Sequence, residues 1–128
     1  MAVDPKAIAD AFLARYKDLC ARGDRDGVTN LYGDDSSFNA DGQHFKGKAA
    51  IGGYIAAKFT AGPCAIRESS VSVLPSMESG GVVVFLTGDL TQGAAVIKFQ
   101  EVFILFPAAG GALYVRNDVF RTGPGTAP

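Results

Sequence analysis

The sequence predicts an α+β domain, with helices packed on one side of an antiparallel sheet. Three observations predict it. Up to Lys58 the chain carries helical apolar patterns, interrupted only by two short strand-like runs around Asp41-Gly42. Beyond Lys58 it carries long β-type runs separated by Gly- and Pro-bearing turns. At 128 residues, 48% hydrophobic and 20% charged, it has the size and composition of one globular domain, enough to bury about two-thirds of its unfolded surface.

Asp4-Pro5 is an N-cap followed by proline at the first helical position. Ile8, Phe12, Tyr16, Leu19 and Cys20 then recur at helical spacing, with Ala11 beside them, and should face a core. Gly23 ends this helix. Asp24 or Asp26 caps a short second helix holding Val28, Leu31 and Tyr32, and Gly33-Asp34-Asp35-Ser36 reads as a loop. A short strand to Asn39, a turn at Asp41-Gly42, and a second strand to Lys46 follow. The next helix runs through Lys58, with Ile51, Tyr54, Ile55 and Phe59 on its apolar side. Gly52-Gly53 within it predicts close packing or an irregular first turn, because each glycine costs about 1 kcal/mol against alanine there. Thr60 to Pro63 is a loop.

Four strands complete the domain: Ala65 to Leu74, Val82 to Thr91, Ala95 to Pro107 and Ala112 to Arg121. The domain is expected to span 1–121, with 122–128 a frayed Gly/Pro tail. In the third strand Ile97, Phe99, Glu101, Phe103 and Leu105 share the parity that should meet the helices. The opposite parity is still apolar, as is Leu113, Val115, Asn117, Val119 in the last strand. A sheet with a solvated outer face should be more polar. The expectation is therefore a homodimer through this face, with Phe85, Gln100, Val102 and Val119 at the interface.

Several function classes are disfavoured. The net charge is −1 with no basic stripe, which argues against nucleic acid as a partner. The longest apolar runs are strand-sized, so no membrane span is expected, and no signal peptide is read at the start. One His and two Cys lack metal spacing, so no metal or other cofactor is expected. Cys20 and Cys64 read as reduced core thiols. No nucleophile elbow surrounds any Ser, and no catalytic residue is assigned.

Asp41 has two readings. It serves an Asp-Gly turn, or it presents an exposed carboxylate as a binding tool. Glu101, Arg116 and Asp118 share the parity of Phe99, Phe103 and Phe120 and are expected to face inward. A buried carboxyl beside Tyr16 could move protons. The competing reading is an ion-pair network, with Arg116 neutralising one carboxylate.

The runs Asp41-Gly42-Gln43-His44-Phe45-Lys46-Gly47-Lys48-Ala49-Ala50-Ile51 and Asn117-Asp118-Val119-Phe120-Arg121 resemble the two signatures of the nuclear transport factor 2 family. These are Glu-Gly-Gln-x-Phe-x-Gly-Lys-x-x-Ile and Asn-Asp-x-Phe-Arg, and the resemblance extends along nearly the whole chain. It implies a cone-shaped fold, with a curved sheet wrapped over the helices and a homodimer through the sheet. It also implies a non-enzymatic carrier shared between cytoplasm and nucleus and enriched at the nuclear pore. Its partners would be the GDP form of the small GTPase Ran and the Phe-Gly repeats of nucleoporins. By this resemblance Asp41 would pair with a basic residue of Ran beside a hollow that accepts a Ran phenylalanine. Phe59, Leu90, Ile97 and Phe120 would line that hollow.

Three positions depart from the family pattern. Ala40 stands where the family has an aromatic residue. Gly93-Ala94-Ala95 stands where it has an acidic pair, leaving Asp89 as the nearby substitute. Tyr16-Lys17 replaces a tandem aromatic. Two further readings follow from the same fold: a small-molecule enzyme, isomerase- or dehydratase-like, using Tyr16, Glu101 and Asp118, or a dimeric adaptor that has lost Ran.

Overall fold

The computed structural model describes residues 4–58, 62–76, 80–108, 110 and 112–123. Its elements are α1 (Pro5–Ala21), α2 (Arg25–Thr29), β1 (Tyr32–Ala40), β2 (Gln43–Lys46), α3 (Lys48–Lys58), β3 (Ala65–Pro75), β4 (Val82–Gln92), β5 (Ala95–Pro107) and β6 (Leu113–Thr122). The six strands form one sheet in the order β2-β1-β6-β5-β4-β3. All neighbours are antiparallel except β1 and β6, which run parallel. Helix α1 lies against β3 and β4, while α3 lies against β1 and β2. The core fills the space between helices and sheet. It is the α+β arrangement expected, with the helices packed on the sheet.

The helix signals act as written. Asp4 accepts from the Lys6 amide at the start of α1. Asp24, rather than Asp26, caps α2 by accepting from the Gly27 amide. Gly23, at φ +65°, closes α1. The buried stripe of α1 is Ala9, Leu13, Tyr16, Leu19 and Cys20, so Ile8 and Phe12 lie at its flank and Ala11 is exposed. A stripe at 3.6-residue period leaves such one-residue rotations open until the partner surface is known. Gly52 resolves as a packing glycine, since a Cβ there would sit 2.9 Å from Thr29 Cγ2 of α2.

The expected loop Gly33–Ser36 is instead part of β1, and Leu31 and Tyr32 do not belong to α2. The polar run is held in the sheet by irregular pairing. Tyr32 is level with Val115 and Ser37 with Asn117, so five steps along β1 match two along β6. Ser36 Oγ donates to the Val115 carbonyl and accepts from the Gly33 amide, which satisfies the extra backbone.

A second irregularity lies between β5 and β6. Leu105 pairs with Val115 and Ile104 with Asn117, so Arg116 is an extra residue. The bulge turns Val115 inward, against the expectation that it faces out. Arg116, expected inward, is only partly buried, with its guanidinium 4.7 Å from the Phe106 ring centroid. A third register shift, in β3 between Glu68 and Ser70, brings that strand's backbone onto β4. A Cβ on Gly88 would overlap the Arg67 carbonyl oxygen, so only glycine fits there.

Strand β6 ends at Thr122, one residue past the expected boundary. The remainder of the expected tail, 124–128, lies outside the described residues, as do Phe59 and part of the loop expected from Thr60 to Pro63.

On the outer face of the sheet, Phe85, Val102 and Val119 sit level on three adjacent strands. Phe85 is 40% and Val119 42% exposed, and Val102 between them is partly buried. Gln100 lies one pair along, level with Thr87 and Arg121.

Candidate partner-binding hollow

The hairpin of β1 and β2 places Asp41. Asp41 and Gly42 have φ of +49° and +89°, the pair of positive values that a two-residue hairpin turn needs. Asn39 Oδ1 accepts from the Gly42 amide. The Asp41 amide donates to the Phe120 carbonyl. Its carboxylate accepts from the Thr122 amide at 2.8 Å and the Thr122 hydroxyl at 2.9 Å. Asp41 is therefore exposed but not loose: it ties the turn to the end of β6. It lines a shallow depression with Asn39, Gly42, Val119, Arg121 and Thr122. Its charge also reaches the Tyr54 hydroxyl, whose pKa is raised mainly by burial and next by Asp41. The turn-forming and charge-presenting readings of Asp41 are both served by one geometry.

A separate hollow of about 30 Å³ includes Phe120, whose carbonyl accepts from the Asp41 amide. Leu90 and Phe120, two of the expected walls, line it with Phe38, Tyr54, Ile55 and Lys58 around them and the two cysteines below. Ile97, a third expected wall, does not line it and is 37% exposed near the start of β5, so its inward parity fails there. The inward set of β5 begins at Phe99. Phe59 lies outside the described residues. Ala40 is buried level with Phe120. Asp89, the substitute acid, lies 3.6 Å from the Lys98 ammonium.

Two residues of the hollow were not singled out from the sequence. Lys58 Nζ lies 3.6 Å from the Phe120 ring centroid and 6.0 Å from that of Tyr54. The signal was the i, i+4 spacing of Tyr54 and Lys58 in the last turn of α3. The other is Tyr32, which the sequence placed in a helix.

Glu101, 2% exposed, also lines the hollow, and Asp118 is 1% exposed. Tyr16 donates to Glu101 Oε1 at 3.2 Å and Tyr32 to Asp118 Oδ2 at 2.6 Å. Asp118 Oδ1 has no hydrogen-bond partner among the described residues. Burial pushes the Glu101 carboxyl well above 4.5, and the Asp118 charge adds to this. Burial raises Asp118 from 3.8 to about 6, against lowering contributions from Glu101, Tyr32 and Lys58. The proton of the pair therefore sits on Glu101. Lys58, rather than Arg116, is the cation that acts on both carboxyls.

Burial pushes the Cys20 thiol up to about 12. Cys20 and Cys64 are both free and buried.

Tyr16, Glu101 and Asp118 thus come together, as an enzyme of this fold would require. The space beside them, about 30 Å³, has room for a water or two. Among the described residues no cluster could hold a metal ion, and no helix is long and apolar enough to cross a membrane.

Comparison with known proteins adds four findings. Residues 8–122 match the family model of the nuclear transport factor 2 (NTF2) domain. Nuclear transport factor 2 of Oryza sativa subsp. japonica is 37% identical over 125 residues, covering 96% of this chain and 100% of the relative. Nuclear transport factor 2B of Arabidopsis thaliana is 33% identical, over 93% of this chain and 94% of the relative. Among solved structures, nuclear transport factor 2 from Cryptosporidium parvum superposes with a TM-score of 0.84 at 27% identity, over 93% of this chain and 94% of that one.

Proposed function

The chain belongs to the nuclear transport factor 2 family, and from that membership we propose that it is a non-enzymatic nuclear transport factor. Its cargo in this reading is the GDP form of Ran, carried into the nucleus through weak contacts with Phe-Gly nucleoporins. The observation that supports it most is the joint placement of Leu90 and Phe120 in one aromatic-lined hollow, with Asp41 held at a fixed orientation on the neighbouring turn. An apolar partner side chain would supply buried area in the hollow. Asp41 would orient a basic residue beside it and raise the association rate. The protein would work as a homodimer through the row Phe85, Val102, Val119 with Gln100, and would move between cytoplasm and nucleus with enrichment at the pore.

The test is a pull-down with Ran loaded with GDP or with a GTP analogue. The GDP form should be retained and the GTP form not. Asp41→Lys should weaken retention by at least about tenfold, as charge reversal in an oriented pair does. Asp41→Asn separates charge from clamp, because its amide oxygen can still accept from the Thr122 amide. Failure of Ran-GDP to bind at micromolar concentrations would overturn the transport reading. Binding of Phe-Gly repeats without Ran would assign the adaptor role instead.

A further inference from the structure

We propose that the edge of β3 from Ser70 to Leu74 docks an extended, uncharged peptide segment of a partner, which adds a seventh strand and sends alternate apolar side chains into the groove between β3 and α1. This surface shares no lining residue with the hollow, so the inference does not depend on the transport reading.

The backbone dictates the shape of the occupant. β3 is the last strand of the sheet. It pairs with β4 on one side, and among the described residues no strand lies on the other. It therefore presents a row of unpaired N–H and C=O groups, which an extended chain satisfies. Proteins blunt such edges with charge, proline or brevity. The opposite edge, β2, is four residues long and carries His44 and Lys46. β3 is eleven residues long. Its charges, Arg67 and Glu68, lie before the register shift between Glu68 and Ser70, and Pro75 closes the strand. The run Ser70-Val71-Ser72-Val73-Leu74 between them has neither charge nor proline. Leu74 is 65% exposed.

Side-chain alternation dictates the chemistry of the occupant. Val71 and Val73 are level with Leu86 and Val84, both fully buried, so they lie on the inner face of the sheet. α1 does not close over them. A groove of about 840 Å³ remains, with Leu13 and Ala14 of α1 facing Val71 and Val73 of β3. A strand added beside β3 would carry its own inner-face side chains, every second residue, into this groove. The charged residues that line the groove are already paired, Lys6 with Asp10 and Lys17 with Glu68. An entering charge would lose its water without gaining a free counter-ion, whereas an apolar side chain would be covered by Leu13, Val71 and Val73.

The probe is the neutral pentapeptide acetyl-Thr-Val-Thr-Val-Thr-amide, added to the full chain while amide exchange is followed by NMR. In the chain alone, the amides of Ser70–Leu74 that point away from β4 should exchange rapidly. Saturating peptide should slow them at least about tenfold. N-methylating the peptide at its Val residues or at its Thr residues should give opposite results, one abolishing binding and the other sparing it, because only alternate amides face β3. Replacing both Val by Lys should weaken binding at least about tenfold. Ala14→Glu puts a charge in the groove at an exposed helix position, and should weaken binding similarly with urea unfolding unchanged. No protection at about 1 mM peptide overturns the proposal. So does binding that tolerates both methylation patterns, equal binding of the Lys peptide, or binding untouched by Ala14→Glu. Slow exchange of these amides without peptide overturns it as well. It would assign the edge to a second copy if the protection grows with protomer concentration, and to a segment of the same chain if it does not.

Discussion

Replacing Glu101 by Gln should stabilise the protein, and by an amount that grows with pH. In the folded chain the carboxyl is 2% exposed and its pKa is held well above 4.5 by burial and by Asp118. In the unfolded chain it ionises near 4.5. Between those two values the folded state keeps a proton that the unfolded state releases. Stability from this group is then fully present below about 4.5 and declines by about 1.4 kcal/mol per pH unit above it. At pH 7, roughly two and a half units higher, the loss reaches up to about 3 kcal/mol. Gln is neutral at every pH, has nearly the same shape, and its amide oxygen can accept from Tyr16. The assay is urea unfolding at pH 4.5, 6, 7 and 8, at one fixed protomer concentration because association would add to apparent stability. Glu101→Gln and the original chain should unfold at similar urea concentrations at pH 4.5. The variant should be ahead by up to about 3 kcal/mol at pH 7. A gap that does not change from pH 4.5 to 8, or a variant less stable at pH 8, would refute the assignment of the proton to Glu101.

Tyr32→Phe removes the 2.6 Å donor to Asp118 Oδ2 and leaves this buried carboxyl with Glu101 as its remaining hydrogen-bond partner. It should cost about 1–3 kcal/mol by thermal unfolding and push the Asp118 titration, seen by carboxyl-carbon NMR, above about 6. Gly88→Ala places a methyl on the Arg67 carbonyl oxygen, so it should destabilise by about 2 kcal/mol or more in urea unfolding. Gly53→Ala, where a Cβ meets nothing within 4 Å, should instead be neutral or stabilising by up to about 1 kcal/mol. Val119→Glu puts a charge in the outer apolar row, and sedimentation should show a dimer for the original chain and a monomer for the variant. An unchanged dimer would place the interface elsewhere.

Much of the fold was legible because its signals are local. Asp4-Pro5 starts α1, Gly23 ends it, and Asp41-Gly42 makes the hairpin, each through the backbone angles or donors of adjacent residues. Strand parity in β5 was legible from Phe99 onward for the same reason: side chains alternate along an extended chain. Parity misled at Val115 and Arg116 because a bulge resets alternation, and a bulge is decided by what the neighbouring strand pairs with. Gly33–Ser36 was misread likewise: its polar composition suits a loop, but parallel pairing with β6 and the Ser36 hydroxyl hold it in the sheet.

The sequence by itself determined the element order, the turn that carries Asp41, and the inward residues Glu101 and Phe120, because those follow from period and local conformation. The tertiary structure alone decided the company they keep. It set Tyr16 against Glu101 across 85 residues and Tyr32 against Asp118 across 86. It tied Asp41 to Thr122 and laid Lys58 over Phe120. Contacts at such separation depend on strand register and helix rotation, which are fixed by packing the whole core at once.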